Sequence, residues 1–158
     1  MSRTGAECSS PQPLGMEDGT IKDDRITASS GYDNYPATDG RLNNNNGWIA
    51  GSEDANPWIE VDLDEPTVVS GVITQRLASY FGLVKKYKVS YKKQPSSDYE
   101  HVTDGNGNIK VFIVNTDYNI PVTNLFDESV VATVVRIEPT EWNGGVGLQL
   151  ELLGCRRD

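Results

Sequence analysis

Apolar and polar residues alternate one position in two along most of this chain, and seldom recur every three or four. In the run Trp58, Ile59, Glu60, Val61, Asp62, Leu63 the side chains of Ile59, Val61 and Leu63 share one face, and Glu60 and Asp62 share the other. Tyr87, Val89 and Tyr91 alternate in the same way with Lys88 and Ser90. A period of two belongs to a strand with one buried face. Residues 109–115 (IKVFIVN), 132–139 (ATVVRIEP) and 148–155 (LQLELLGC) predict three more strands, each bounded by Gly, Pro, Asn or Asp. No stretch of about ten residues carries a helical stripe, and 15 Gly and 8 Pro punctuate the whole length. The pattern predicts an all-β domain, a sandwich or a barrel.

With 158 residues there is enough chain for one core and too little for two. A formal net charge of −9 disfavours phosphate-rich partners, so nucleic acid is excluded as a ligand. No run approaches the roughly 18 apolar residues of a membrane span, and the first residues lack the apolar centre of a signal peptide. Residues 1–7 read as a vector or linker remnant and 156–158 as a tail, which leaves 8–155 as the domain. Cys8 and Cys155 sit almost at the two ends, whereas metal and redox pairs lie a few residues apart. A disulfide between the termini, formed in an oxidising compartment, is the natural reading; two unrelated buried thiols are the alternative.

Catalytic chemistry finds no residue set. His101 is the only histidine and reads as a strand residue beside a turn, and the chain has no nucleophile elbow, phosphate loop or metal-spaced histidine pair. The stretch DGNGN (104–108) starts like a calcium loop, but Ile109 stands where the obligatory glycine belongs and Asn115 where the closing glutamate does, so it reads as a hairpin turn. The four asparagines at 43–46 lead into Gly47 and read as a compact turn. Trp48 and Trp58 are expected in the core or wall, and Trp142, before Asn143 and two glycines, in a structural role. Arg136, between Val135 and Ile137, predicts an ion pair with an acidic residue. There is no Arg-Gly-Asp and no Asn-x-Ser/Thr sequon. Two stretches remain that strand patterning does not absorb. Residues 27–57 carry Tyr32, Tyr35 and Trp48 on a long irregular connection. Residues 78–86 set Tyr80, Phe81, Leu83 and Val84 around Gly82, with Lys85 and Lys86 behind.

Residues 13–34 (PLGMEDGTIKDDRITASSGYDN), followed by RLNNNNGWIAG and WIEVDL and closed by VVRIEPTEW (134–142) and LELLGC (150–155), resemble the discoidin domain, also called the coagulation factor V and VIII C-type module. The resemblance runs from Cys8 to Cys155. It implies a jelly-roll-like β-sandwich, extracellular, that needs no cofactor and takes its ligand on loops at one end. Those loops would be residues 30–38, 48–57 and 76–86, and the residues implied for ligand contact are Tyr32, Asp33, Tyr35, Glu53, Arg76, Tyr80, Phe81 and Leu83. Carbohydrate-binding relatives of the fold imply a structural calcium ion, for which Asp39 and Glu151 are the matching positions. The function implied is adhesion or attachment at the cell surface, within a larger protein, through a protein or glycan ligand. One alternative is docking on a phosphatidylserine membrane, with Tyr80, Phe81 and Leu83 as tips and Lys85 and Lys86 as a basic collar; another is a calcium-assisted galactose-type lectin. Members that bind a C-terminal arginine use aspartate and threonine where this chain has Glu53 and Ile49, so that pocket is not carried over.

Overall fold

The structure is a computed structural model, and it describes residues 7–114 and 118–156. Its strands are β1 (Gln12–Pro13), β2 (Ile26–Ala28), β3 (Trp48–Ile49), β4 (Ile59–Gln75), β5 (Leu83–Lys92), β6 (Glu100–His101), β7 (Phe112–Ile113), β8 (Val122–Asn143) and β9 (Gly147–Cys155). They form one curled sheet in the order β1-β9-β4-β8-β5-β6, with β2 on β4, β3 on β9 and β7 on β5.

The curl follows from the two longest strands. In β4 the ladder to β8 jumps between Asp62 and Thr67 and again between Val69 and Gly71. Asp64, with φ 70°, sits in the first jump beside exposed Glu65 and Pro66. Residues 59–62 pair with one half of β8, which continues to β5. Residues 67–75 pair with the other half and with β9. Each long strand therefore belongs to both layers of the sandwich, and the sequence punctuation at residues 64–66 marks a corner that the strand turns without ending.

Between the layers lie Trp48, Ile59, Val69, Tyr87, Leu150 and Leu152, all essentially inaccessible to solvent. Tyr87 and Phe112 stack with ring centroids 5.2 Å apart, and Phe126 closes the group at 5.7 Å from Phe112. The predicted alternation is observed: Ile59 and Val61 face the core in β4, and Tyr87, Val89 and Tyr91 do so in β5. Leu63, expected with the first set, is only half-buried because the corner begins there. The segment 109–114 is strand only at Phe112 and Ile113, although Lys110 and Val114 donate backbone bonds to Val102 and Lys85; Asn115 lies outside the described residues. The turn before it is held by the Asp104 carboxylate, which accepts the amides of Asn106 and Asn108.

Cys8 and Cys155 are bonded, with Cα atoms 5.7 Å apart and a sequence separation of 147. β1 runs beside β9, so the staple joins neighbouring edges of one layer. The register also fixes where loops gather. Leu83 opposite Asn143, Ile59 opposite Ile137 and Gln75 opposite Gln149 put the connections before β4, between β4 and β5, and between β8 and β9 at one end.

Candidate ligand cleft

The first loop is clipped to β3. Tyr32 donates its amide to the Ile49 carbonyl (2.7 Å), Ile49 donates to Tyr35 (3.2 Å), and Tyr35 donates back to Tyr32 (2.9 Å). Asn34 makes this tight turn at φ 70°, a conformation asparagine tolerates. From beneath, the buried Trp48 indole donates to the Ser30 carbonyl at 2.8 Å. Trp48 is thus a core residue whose one polar atom anchors the loop.

The second loop is held by Asp54. Its Oδ2 accepts the hydroxyls of Ser29 (2.5 Å) and Ser30 (2.6 Å), and its Oδ1 accepts the Asn56 amide (3.1 Å). Partial burial raises this carboxyl's pKa, but the bonds from Ser29, Ser30 and Asn56 outweigh it and hold the group below the usual range. Ser30 also accepts the Gly51 amide at 2.9 Å, which ties the first two loops together.

The third loop is built against glycines. Tyr80 and Phe81 sit with ring centroids 4.9 Å apart. A Cβ on Gly145 would overlap the Tyr80 hydroxyl, one on Gly147 would lie 2.6 Å from its ring, and one on Gly144 would lie 2.7 Å from the Phe81 ring. The glycines after Trp142 are therefore a bed for these two aromatics. Burial pushes the Tyr80 hydroxyl's pKa up, and nearby Tyr32 adds to the shift.

These segments enclose a cleft of about 460 Å³. Tyr32 and Tyr35 line it from the first loop, residues 49–52 and Asp54 from the second, and Tyr80 and Phe81 from the third. Trp142, Gly144, Gly145 and Val146 complete the wall from the β8–β9 connection. Phe81 and Tyr32 project farthest, at 73% and 55% exposure.

Four of the eight predicted contact residues, Tyr32, Tyr35, Tyr80 and Phe81, converge on this cleft. Asp33 is exposed outside its lining, and Glu53 is also outside it, with Asp54 facing inward in its place. Arg76 donates to the carbonyls of Phe81 (2.9 Å) and Tyr80 (3.4 Å), so it clamps the third loop from behind. Leu83 belongs to β5, paired with Asn143, so the loop ends at Gly82 and not at Lys86. Lys86 faces Glu141 at 3.6 Å, which compensates half of the expected basic collar. The β8–β9 wall lies outside the three predicted loops; its signal in the sequence is a tryptophan followed by closely spaced glycines at residues 142–147, where patterning alone gives Trp142 a structural role.

Arg136 makes the expected ion pair, to Glu60 at 2.9 Å, and its guanidinium lies 3.8 Å above the Trp58 ring and 4.2 Å from that of Tyr99. The group braces the outer face of the sheet. Calcium does not fit the two carboxylates assigned to it. The Glu151 side chain, 1% exposed, accepts backbone amides from Gly15 (3.3 Å), Met16 (2.9 Å), Leu152 (3.0 Å) and Glu17 (3.0 Å). Those N–H dipoles point positive ends at the oxygens and would repel a cation. Asp39 accepts the Asn46 amide group at 2.9 Å, and among the described residues no three His, Cys, Asp or Glu side chains converge as metal ligands. A guanidinium serves this corner: Arg41 reaches the Met16 carbonyl (2.8 Å) and Asp23 (2.7 Å).

Residues 25–152 match the family model of the F5/8 type C domain. The chain belongs to this family. Retinoschisin of Mus musculus is 31% identical to this F5/8 type C domain over 94% of the chain and 70% of its own length. Lactadherin of Rattus norvegicus is 40% identical over 91% of the chain, which spans only 36% of that protein. Among solved structures, discoidin II from Dictyostelium discoideum superposes with a TM-score of 0.75 at 21% identity, covering 84% of this chain and 55% of that one. The family 32 CBM from C. perfringens NanJ, solved in complex with galactose, gives 0.65 at 18% identity, covering 92% and 98%. These two likenesses carry the fold, a discoidin-like β-sandwich.

Proposed function

We propose that this F5/8 type C domain is an extracellular recognition module that seats a glycan, or a glycan-bearing protein, in the apical cleft and so attaches a larger protein to cell surfaces. The observation that carries the reading is the cleft itself, concave and walled by Tyr32, Tyr80, Phe81 and Trp142, with the backbone of residues 50–52 and the Ser52 hydroxyl in its lining. Aromatic faces stack on the C–H face of a sugar ring while peptide and hydroxyl groups bond its oxygens, the division of labour usual in small-ligand pockets. The same fold holds galactose in the C. perfringens module. The terminal disulfide agrees with an oxidising compartment. No residue of the cleft forms a nucleophile and base pair, and the reading needs neither catalysis nor a metal.

The test is a glycan array followed by calorimetry on the best ligand. Tyr32→Ala and Phe81→Ala, both at exposed positions, should each weaken binding by at least roughly tenfold, as expected for loss of a stacking face, with unfolding midpoints near the parent's. Unchanged affinity in both variants refutes the cleft as the site.

A second reading rests on Phe81, exposed at the loop tip beside Tyr32. In this reading the tip enters a phosphatidylserine bilayer and the cleft accepts a headgroup. Sedimentation with phosphatidylserine against phosphatidylcholine vesicles at physiological salt separates the two. Selective binding lost in Phe81→Asp selects the membrane; no binding leaves the glycan reading.

A further inference from the structure

At the opposite end of the sandwich lies a second cleft, of about 420 Å³, lined by the end of β5, by residues 101–103 and by residues 128–131 of β8. β5 starts at the apical end with Leu83, and the cleft begins at Tyr91, so roughly eight residues or about 26 Å of strand separate the two sites. The discoidin resemblance and the apical reading use nothing from this end of the molecule.

Two observations mark it as a binding site. The volume falls in the range of small-ligand pockets. In addition, His101, which lines the cleft, has its Nδ1 withdrawn from solvent with no hydrogen-bond partner; among the described residues only Thr74 Oγ1 shares that condition. Buried nitrogens without partners are rare in folded proteins and call for a bridging water or a ligand. The backbone around His101 cannot turn to satisfy it. His101 is paired with Ser90 across β5, and Val102 donates to Val89 on one side while accepting Lys110 on the other.

The lining selects the chemistry. Lys93 and the hydroxyls of Thr103, Ser129 and Tyr91 can donate, and Glu128 accepts. Ser129 is held in place by a 2.9 Å bond to Ser70, and Lys93 lies 3.6 Å from Glu100. Val102, Val130 and Val131 supply an apolar floor. An anion would meet Glu128 and the net charge of −9, and a cation would meet Lys93. A neutral group that both donates and accepts, with a C–H face for the valines, meets no opposing charge. We propose that this distal cleft is a second ligand site, independent of the apical one, for a neutral hydroxyl-rich ligand of one or two sugar rings, with a turn of the His101 imidazole bringing a ring nitrogen to one of its hydroxyls.

His101 is the chain's only histidine, so its imidazole resonances are unambiguous. The experiment records them and the backbone amides by NMR while methyl β-galactoside, methyl α-mannoside and N-acetylglucosamine are titrated to millimolar concentrations. The expected result is a saturable shift at His101, Val102 and Ser129 with at least one sugar. Its dissociation constant should rise roughly tenfold in Glu128→Ala, an exposed position whose loss spares the fold, and in His101→Phe, which keeps a flat aromatic ring and removes both ring nitrogens. The proposal is overturned if none of the three sugars moves His101, if its shifts grow without saturation, or if only inorganic phosphate or zinc moves it. Sugar shifts confined to Tyr32, Phe81 and their neighbours also overturn it and leave the apical reading standing.

Discussion

Replacing Glu151 by alanine removes a carboxylate that four backbone amides point at, and the cost can be worked from the structure. The donors of Gly15, Met16 and Leu152 are buried with it, while that of Glu17 is partly exposed and can turn to water. A buried donor left without a partner costs about 1–3 kcal/mol. Three such groups, less the relief from one water entering the space, give about 4 kcal/mol. That is a large part of the 5–15 kcal/mol typical of a domain. Glutamine keeps the shape and one accepting oxygen but turns an NH2 group toward the remaining donors, so Glu151→Gln should cost about 2 kcal/mol. The segment released carries Leu14 and Met16, both essentially inaccessible to solvent, so the loss should be cooperative. Urea unfolding at neutral pH with the disulfide intact would show a lower midpoint in the order parent, Gln, Ala, with the m-value retained. An alanine variant within about 1 kcal/mol of the parent refutes the amide cradle. So does stabilisation by calcium: an ion held at Glu151 would add about 2.7 kcal/mol at a hundredfold excess over its dissociation constant, whereas an amide-saturated carboxylate gains nothing.

Three further outcomes are expected. Reducing the Cys8–Cys155 bond, or replacing both cysteines by serine, should lower stability by about 3–5 kcal/mol, because the bond closes nearly the whole chain; a change under about 1 kcal/mol in the serine variant would mean that β1 docking already supplies the constraint. Gly145→Ala should push Tyr80 out of its bed and abolish apical binding while far-ultraviolet circular dichroism stays that of the parent; retained affinity would show that the bed does not position the aromatics. Tyr99 should ionise late, near about 12, because burial and its bond to Glu60 both favour the neutral phenol. The unfolded chain loses that proton near 10, so stability is fully present below pH 10 and falls as pH rises toward 12. Spectrophotometric titration of the parent against Tyr99→Phe would show the late component vanish; a Tyr99 that titrates with the exposed tyrosines refutes its place in the Glu60 and Arg136 network.

Legibility followed the reach of the physical signal. A period of two in residues 59–63 and 87–91 is a local pattern, and it placed the core faces of β4 and β5 correctly. The corner at residues 64–66 was not legible, because a strand end and a strand bend both present Asp, Glu and Pro to solvent. For the third loop, Phe81 and Leu83 look alike in sequence, yet one stands in solvent and the other pairs with Asn143. Only the β8 register separates them, and that is set by residues about sixty positions away. The sequence does not separate Asp54 from its neighbour Glu53, because both are acidic loop residues; the two serines that bind Asp54 are twenty-four and twenty-five positions distant. Trp142 was visible as a residue and invisible as a wall, since its role depends on where Tyr80 comes to rest.

The same long-range bonds that hid the cleft from the sequence make it rigid, and rigidity bears on what it can bind. The three loops are each held in place: the first by the Trp48 indole, the second by Ser30, and the third by its own Arg76 and by the glycine bed of the β8–β9 connection. A preorganised cleft has little ordering entropy left to spend on binding, which favours modest but usable affinity for a small, flat ligand. The free variables are at the rim, where Tyr32 and Phe81 project. Specificity among glycans, and any choice between a glycan and a bilayer, should therefore change with substitutions at Tyr32 and Phe81 and resist substitutions at Asp54, whose carboxylate is already occupied by Ser29, Ser30 and Asn56. Asp54→Asn should weaken all ligands alike by loosening two loops at once, and a change of preference in that variant would mean that the carboxylate itself reads the ligand.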